Sequence, residues 1–366
     1  MKLNRWVLFL VLPIVALLAA PPQDDRATEE QKAREIMTRA RRGETVTAEE
    51  RELVKKVNAR WMEEFRKTNP PRDSTGLVPL TELGAGGYKG EEGGLYTGGK
   101  NTPPKSHLDA GLALARKVAP LDAEGRPAVE GKIVLLTIGM SNTTQESQAF
   151  LKRAAGDPAL NPRLVIVDGA QGGQAADTTA NPEAKYWSVV EQRLSAAGVT
   201  ARQVQAVWLK QAIIQPNRPF PVEVKRLQGY LVDTLHNLSN SYPNLKIAYL
   251  SSRIYAGYAA TPLNPEPHSY ESAFAVKWVI ADQMAGKPEL NYDPAKGAVR
   301  APWLAWGPYL WADGVKARSD GLSWQREDLG EDGTHPSMSG REKVAKLLLD
   351  FLKSDPTARP WFVKRT

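Results

Sequence analysis

Lys132-Ile133-Val134-Leu135-Leu136-Thr137-Ile138, followed by Gly139-Met140-Ser141-Asn142-Thr143-Thr144, is the stretch on which the fold of this 366-residue chain turns. The first seven residues are mostly apolar and β-branched, and the run is short enough for one buried strand. Residues from Thr143 to about Ala155 read as a helix. Gly139 permits a tight turn, so Ser141 falls at a strand-to-helix junction. In an open α/β sheet that is the carboxyl end of a strand, where ligands bind. The helix start also offers free N–H groups and positive potential to a developing oxyanion. Serine is equally a common helix cap, so a chemical reading needs a partner elsewhere in the chain.

Downstream, strands and helices alternate. Arg163-Leu164-Val165-Ile166-Val167 is a second strand, ending in the turn Asp168-Gly169-Ala170-Gln171-Gly172-Gly173-Gln174. A helix near 184–197 leads to the strand Gln205-Ala206-Val207-Trp208-Leu209-Lys210. A long helix over 222–241 carries Val224, Leu227, Leu231, Leu235 and Leu238 on one face. Lys246-Ile247-Ala248-Tyr249-Leu250-Ser251 is the fourth strand, with a helix over 271–284 behind it. Repeated strand–helix units predict an α/β fold with a doubly wound parallel sheet covered on both faces. Residues 285–335 read as irregular and hold Trp303, Trp306, Tyr309, Trp311 and Trp324. Such a cluster either stacks on sugar rings or packs its own loop down.

The chain begins with a different pattern. Lys2 and Arg5 precede an apolar run from Trp6 to Ala20, which predicts a signal peptide over residues 1–20 and export. Membrane attachment is expected only if that segment stays uncleaved. Residues 21–71 form a charged arm, about half Asp, Glu, Lys and Arg over 24–67. Thr28-Glu29-Glu30-Gln31 and Thr47-Ala48-Glu49-Glu50 both read as capping boxes, with Gly43 as a stop between two helices. The arm is expected to be solvated and to pack loosely, ahead of a role as a spacer or docking element. A lead-in over 72–130 is glycine-rich between Gly84 and Gly99, but no strand precedes it and no helix follows, which excludes a dinucleotide fingerprint. That loop is expected over the sheet edge or at a pocket rim. His107 is expected at the start of a helix over 107–117, as a surface or capping residue. The main domain spans 131–358 and a tail covers 359–366.

Composition is ordinary for a globular protein, at 42% hydrophobic and 24% charged. Net charge is +7, or +5 once Lys2 and Arg5 are gone. With no dense basic run, nucleic acid is not an expected partner. The chain has no cysteine, which excludes a disulfide framework and a lipid attachment site. Neither a metal nor a cofactor is called for, and the oligomeric state is not legible.

Near the C-terminus stands Glu331-Asp332-Gly333-Thr334-His335-Pro336-Ser337, just before a helix with Val344, Leu347, Leu348 and Phe351 on one face. An early strand-end serine combined with Asp-x-x-His before a final helix resembles the SGNH (GDSL-type) hydrolases, and its carbohydrate acetylesterase-like branch in particular. The resemblance covers roughly Lys132 to Leu352. It implies a flavodoxin-like three-layer sandwich with the arm as an N-terminal extension. It also implies Ser141 as nucleophile, His335 as base and Asp332 as the carboxylate that orients it. A serine hydroxyl needs such an imidazole to take its proton, and the imidazole needs a partner on its other nitrogen. His236, on the long helix, and His268, in a loop, lack this setting.

The family's oxyanion hole uses the serine N–H, a glycine N–H after the second strand and an asparagine side chain after the third. The glycine falls on Gly172 or Gly173, with Gly172 preferred. The third block departs from the family, since Leu209-Lys210-Gln211-Ala212 carries no Gly-x-Asn-Asp. Gln211 is expected to supply the amide instead, ahead of Asn217. The first block departs as well, with Gly-Met-Ser for Gly-Asp-Ser. Asn142, Gly173, Arg253 and Tyr255 are expected to face the substrate. The whole reads as a serine esterase that removes small acyl groups, such as acetyl, from carbohydrate. Its rivals are a non-catalytic carbohydrate- or wall-binding protein on the same scaffold and a lipase- or thioesterase-like hydrolase.

Overall fold

The computed structural model describes residues 25–41 and 44–364. The expected signal segment and the helix stop at Gly43 lie outside the described residues. The chain divides into two compact units, one ending at Trp61 and the other beginning at Met62.

In the first unit, α1 (Asp25–Arg41) is followed by α2 (Ala48–Thr68), which runs on past Trp61. The capping box at Thr47 forms as expected. Thr47 Oγ1 accepts from Glu50 N at 3.2 Å, and Glu50 accepts from Thr47 N at 3.0 Å. The box at Thr28 does not form, because α1 already begins at Asp25. Glu29 pairs with Lys56 at 2.7 Å and Arg60 at 2.8 Å, and Arg34 lies 4.5 Å over the ring of Trp61.

The second unit is built on a five-stranded, wholly parallel sheet. Its strands are β1 (Ile133–Gly139), β2 (Leu164–Asp168), β3 (Val204–Lys210), β4 (Ile247–Leu250) and β5 (Trp303–Trp306). Their spatial order is β2-β1-β3-β4-β5. Every residue of β1, β3, β4 and β5 is buried. Successive strand residues point to opposite faces, so both faces of the sheet are covered. The covering helices include α3 (Lys105–Ala115), α4 (Ser141–Ala155), α5 (Lys185–Ala196), α6 (Val222–Ser241), α7 (His268–Met284) and α8 (Met338–Ser354). Helix α4 packs on α8, and α6 packs on α7. Among the described residues no helix is long and apolar enough to cross a membrane.

Three expectations need correction. The region 285–335 is not wholly irregular, because Trp303–Trp306 forms the edge strand β5. Four residues with two tryptophans show no strand period in the sequence, and it is pairing with β4 that makes them a strand. His268 is the first residue of α7 rather than a loop residue. His107 is buried, not a surface or capping residue. The open side of β5 accounts for it. The carbonyl of Leu304 accepts from His107 Nε2 at 2.8 Å, its N–H donates to Gln283 Oε1 at 2.7 Å, and Trp306 N–H donates to Tyr96 Oη at 3.3 Å. An exposed edge strand would otherwise offer these groups to another chain. Tyr96 belongs to the glycine-rich loop, which therefore lies over the sheet edge.

A polar link joins β3 to α4 inside the core. Lys210 Nζ lies 2.6 and 2.5 Å from the two carboxylate oxygens of Glu146, with both side chains buried. Leaving either charge alone in the core costs far more than removing both. Glu146→Leu or Lys210→Met alone should lower the unfolding free energy by about 3–5 kcal/mol, and the double variant should lose less than either single. Urea unfolding followed by circular dichroism measures all three. A double variant less stable than both singles would refute the pairing.

Candidate active site

The strand order reverses between β1 and β3, which leaves a crevice at their carboxyl ends. Gly139 ends β1 opposite Lys210, the end of β3. A side chain at Gly139 would stand 2.3 Å from Thr143 Oγ1 and 2.4 Å from Lys210 O, so only glycine lets α4 start this close to β3. Helix α4 begins at Ser141, two residues before the expected start. Its first-turn N–H groups therefore lie in the crevice without helical partners.

The four side chains of that turn reach three different places. Ser141 Oγ lies 2.7 Å from His335 Nε2. Asn142 Nδ2 donates to Thr334 O at 2.9 Å. Thr143 Oγ1 donates to Lys210 O at 2.8 Å, and Thr144 Oγ1 donates to Asp168 Oδ2 at the end of β2. A helix turns about 100° per residue, so four consecutive side chains point outward in all directions.

The Asp332–His335 loop is equally determined. Gly333 has φ +62°, and a Cβ there would lie 1.8 Å from Tyr258 O. Gly330 N donates to His335 O at 2.7 Å, and Ala260 N donates to Asp332 O at 2.8 Å. Asp332 Oδ1 accepts from the N–H groups of Thr334 and His335, each at 3.0 Å, while Oδ2 lies 2.5 Å from His335 Nδ1. An ionised carboxylate only accepts, so Nδ1 carries the proton and Nε2 is left with its lone pair toward the Ser141 hydroxyl. Burial works against the charged form of Asp332. The hydrogen bonds and charge of His335, with the N–H groups of His335 and Thr334, outweigh it and bring the carboxyl down to about 2.

The turn after β2 is tied to the end of β1. Gln171 N donates to Gly139 O at 3.1 Å, and Arg193 Nη1 holds Asp168 O at 2.8 Å and Ala170 O at 2.7 Å. Gly172 and Gly173 form its exposed tip, with no atom within 4 Å of either Cβ position, and Gly173 takes φ +74°. Among the described residues neither N–H has an acceptor.

The structure brings Ser141, His335 and Asp332 together and sets the Gly172–Gly173 turn beside β1. It does not bring the other expected residues into the crevice. Gln211 is buried, and its Nε2 already donates to Gln174 O at 3.2 Å and Thr179 Oγ1 at 3.3 Å. Both amide hydrogens are thereby taken up, so it is not an oxyanion donor. Asn142 is wholly buried against Thr334 O rather than open to a substrate. Arg253 and Tyr255 are buried too, with Tyr255 Oη donating to Arg72 O at 2.6 Å. The aromatic cluster is unavailable to sugars. Trp303, Trp306, Tyr309, Trp311 and Trp324 are all buried. The indole N–H groups donate to His107 O, Leu95 O, Glu266 Oε1 and Leu310 O within 2.7–3.1 Å.

Other partners were missed by sequence reasoning. The Lys210–Glu146 pair had one signal, a lysine ending an otherwise buried strand. Asn142, Thr143 and Thr144 had none, because their acceptors lie 24 to 192 residues away. Of the other histidines, His236 Nε2 donates to Glu289 O at 2.7 Å, and His268 Nδ1 lies 3.6 Å from Glu271. Among the described residues no group of three or more His, Cys, Asp or Glu is placed to hold a metal ion.

No family model matches the chain. No curated protein matches it. Solved structures give distant likenesses. A Bacteroides fragilis chain described as an acylhydrolase is 14% identical, with a TM-score of 0.36 over 68% of this chain and 96% of its own. A Streptococcus pneumonia chain described as a platelet activating factor is 14% identical, with a TM-score of 0.30 over 67% and 92%. The periplasmic domain of a Salmonella Paratyphi A lipopolysaccharide acetyltransferase is 11% identical, with a TM-score of 0.32 over 67% and 95%. Likeness at this level carries no argument about the chemistry of this chain.

The low titration of Asp332 has a consequence for stability. Its unfolded carboxyl titrates near ~3.9, whereas the folded one titrates at about 2. A lowered folded value stabilises the protein above the unfolded value, and that contribution fades as pH falls toward the folded one. The stability gap between wild type and Asp332→Asn should therefore be full near pH ~5 and narrow toward pH ~2. Urea unfolding at stepped pH measures it, and a gap independent of pH would contradict the assignment.

Proposed function

We propose that this chain is an exported serine esterase of SGNH type that works through an acyl-enzyme. One observation carries the proposal: the continuous relay from Ser141 Oγ to His335 Nε2 at 2.7 Å, and from His335 Nδ1 to Asp332 at 2.5 Å. The first distance is already within the reach needed for proton transfer.

The Ser141 hydroxyl attacks an ester carbonyl while His335 Nε2 takes its proton. The tetrahedral intermediate carries its negative oxygen toward the Ser141 N–H, at the start of α4, and the N–H of Gly172. Collapse breaks the carbon–oxygen bond, and the alcohol leaves with the proton from His335. Water then gives its proton to His335 and attacks the acyl carbon. Ser141 recovers the proton as the acid departs. Asp332 keeps the imidazole in one tautomer and balances its charge while it is protonated.

A small acyl group such as acetyl, carried on a polysaccharide outside the cell, remains the proposed substrate. Its support is the export pattern of Lys2, Arg5 and Trp6–Ala20. The tryptophans lend it none, because their rings are buried. The relay also weighs against a non-catalytic binding protein, which has no need of a histidine aligned on a serine.

The mature chain should hydrolyse p-nitrophenyl acetate faster than the butyrate and should be labelled by a fluorophosphonate at Ser141. Ser141→Ala should lose the label and at least about a thousandfold in kcat, removal of a serine nucleophile elsewhere costing up to roughly a millionfold. Ester hydrolysis that survives in Ser141→Ala would reject the nucleophile. No hydrolysis and no labelling of the wild type would reject the esterase.

A further inference from the structure

We propose that Asn142 is a positioning residue that holds the His335 loop against the Ser141 helix, an inference that rests on the esterase reading for its catalytic consequence. Ser141 and Asn142 are adjacent in α4, and their partners, His335 and Thr334, are adjacent in the loop. The two elements are thus joined at two consecutive points, 2.7 Å from Ser141 Oγ to His335 Nε2 and 2.9 Å from Asn142 Nδ2 to Thr334 O. A carbonyl can only accept, which fixes the Asn142 amide with its nitrogen toward Thr334.

The two attachments differ in kind. The serine–histidine contact must break and re-form as the proton moves, so it cannot also hold the loop in place. Asn142 takes no part in that transfer. Its side chain is wholly buried, as is Thr334, so water does not compete for the bond. Asp332 fixes the imidazole from the far side, through its side chain and through the N–H of His335. Asn142 fixes the backbone one residue before the imidazole, from the side of the nucleophile. Without it, the reacting contact is the one hydrogen bond left among the described residues between α4 and residues 332–335, and the packing of α8 on α4 sets only the loop's general position.

Displacing a reacting group by about 1 Å costs on the order of 100-fold in rate. Asn142→Ala and the similarly shaped Asn142→Leu should therefore lower kcat on p-nitrophenyl acetate about 100-fold with KM within twofold. Labelling by the fluorophosphonate should slow by the same factor. A second readout does not depend on turnover: the strongly deshielded proton between His335 Nδ1 and Asp332 in the proton NMR spectrum, assigned by its loss in His335→Ala. It should shift or broaden in both variants while their far-ultraviolet circular dichroism stays that of the wild type. If the wild type neither turns over nor labels, the esterase reading fails and positioning is judged on this resonance. Asn142→Leu with unchanged kcat per folded molecule, or an unchanged resonance in a folded variant of an inactive protein, would overturn the proposal.

Discussion

The first turn of α4 is the point from which the rest of the site is determined. Four consecutive polar residues, Ser141 to Thr144, bind the His335 loop, the end of β3 and the end of β2. The turn is close enough to do so because Gly139 lets the helix start against Lys210 O. A side chain at that position would push the helix away from β3 and lengthen all four contacts together. The unpaired N–H groups of the helix start, which burial would otherwise penalise, then lie at the carboxyl ends of β1 and β3.

Buried polar groups do most of the specific work around this turn. Lys210 and Glu146 join β3 to α4 without solvent. Asp168 accepts from Thr137, Thr144 and Ala170, and so ties β1, α4 and the Gly172–Gly173 turn to one carboxylate. Such groups contribute little net stability compared with an apolar core. Each nevertheless needs its partner in place, so misregistration anywhere in the network would leave a buried group unsatisfied. The sheet edge follows the same logic, with His107, Gln283 and Tyr96 occupying the open groups of β5.

The aromatic cluster shows how chemistry alone misleads. Tryptophan near a cleft suits sugar stacking, but its large apolar surface suits a core equally well. Here the rings are buried and their indole N–H groups bond to internal acceptors. Gln211 follows the same pattern, since an amide at a strand end has no reason to face the crevice once Gln174 and Thr179 offer it acceptors. The likeness between such residues and ligand-binding ones is one of type, and burial is what separates them.

Local pattern was enough for the parallel α/β architecture, whereas the serine and the Asp-x-x-His at its two ends stood out as a pair through a resemblance to a family. Strand period, helix period and the glycine before Ser141 are properties of neighbours in the chain, and the Asp332–His335 contact spans three residues. What tertiary structure alone decided were the contacts between distant segments. The 194-residue separation of Ser141 from His335 closes only through the order β2-β1-β3 and the packing of α4 on α8. The strand at Trp303–Trp306, the burial of His107, Asn142, Arg253 and Tyr255, and the loss of Gln211 as a donor are equally matters of which surfaces meet. A side chain's type states which bonds it is able to make. Which bonds it makes depends on the groups brought within 3 Å or so of it, and the folded chain alone selects those.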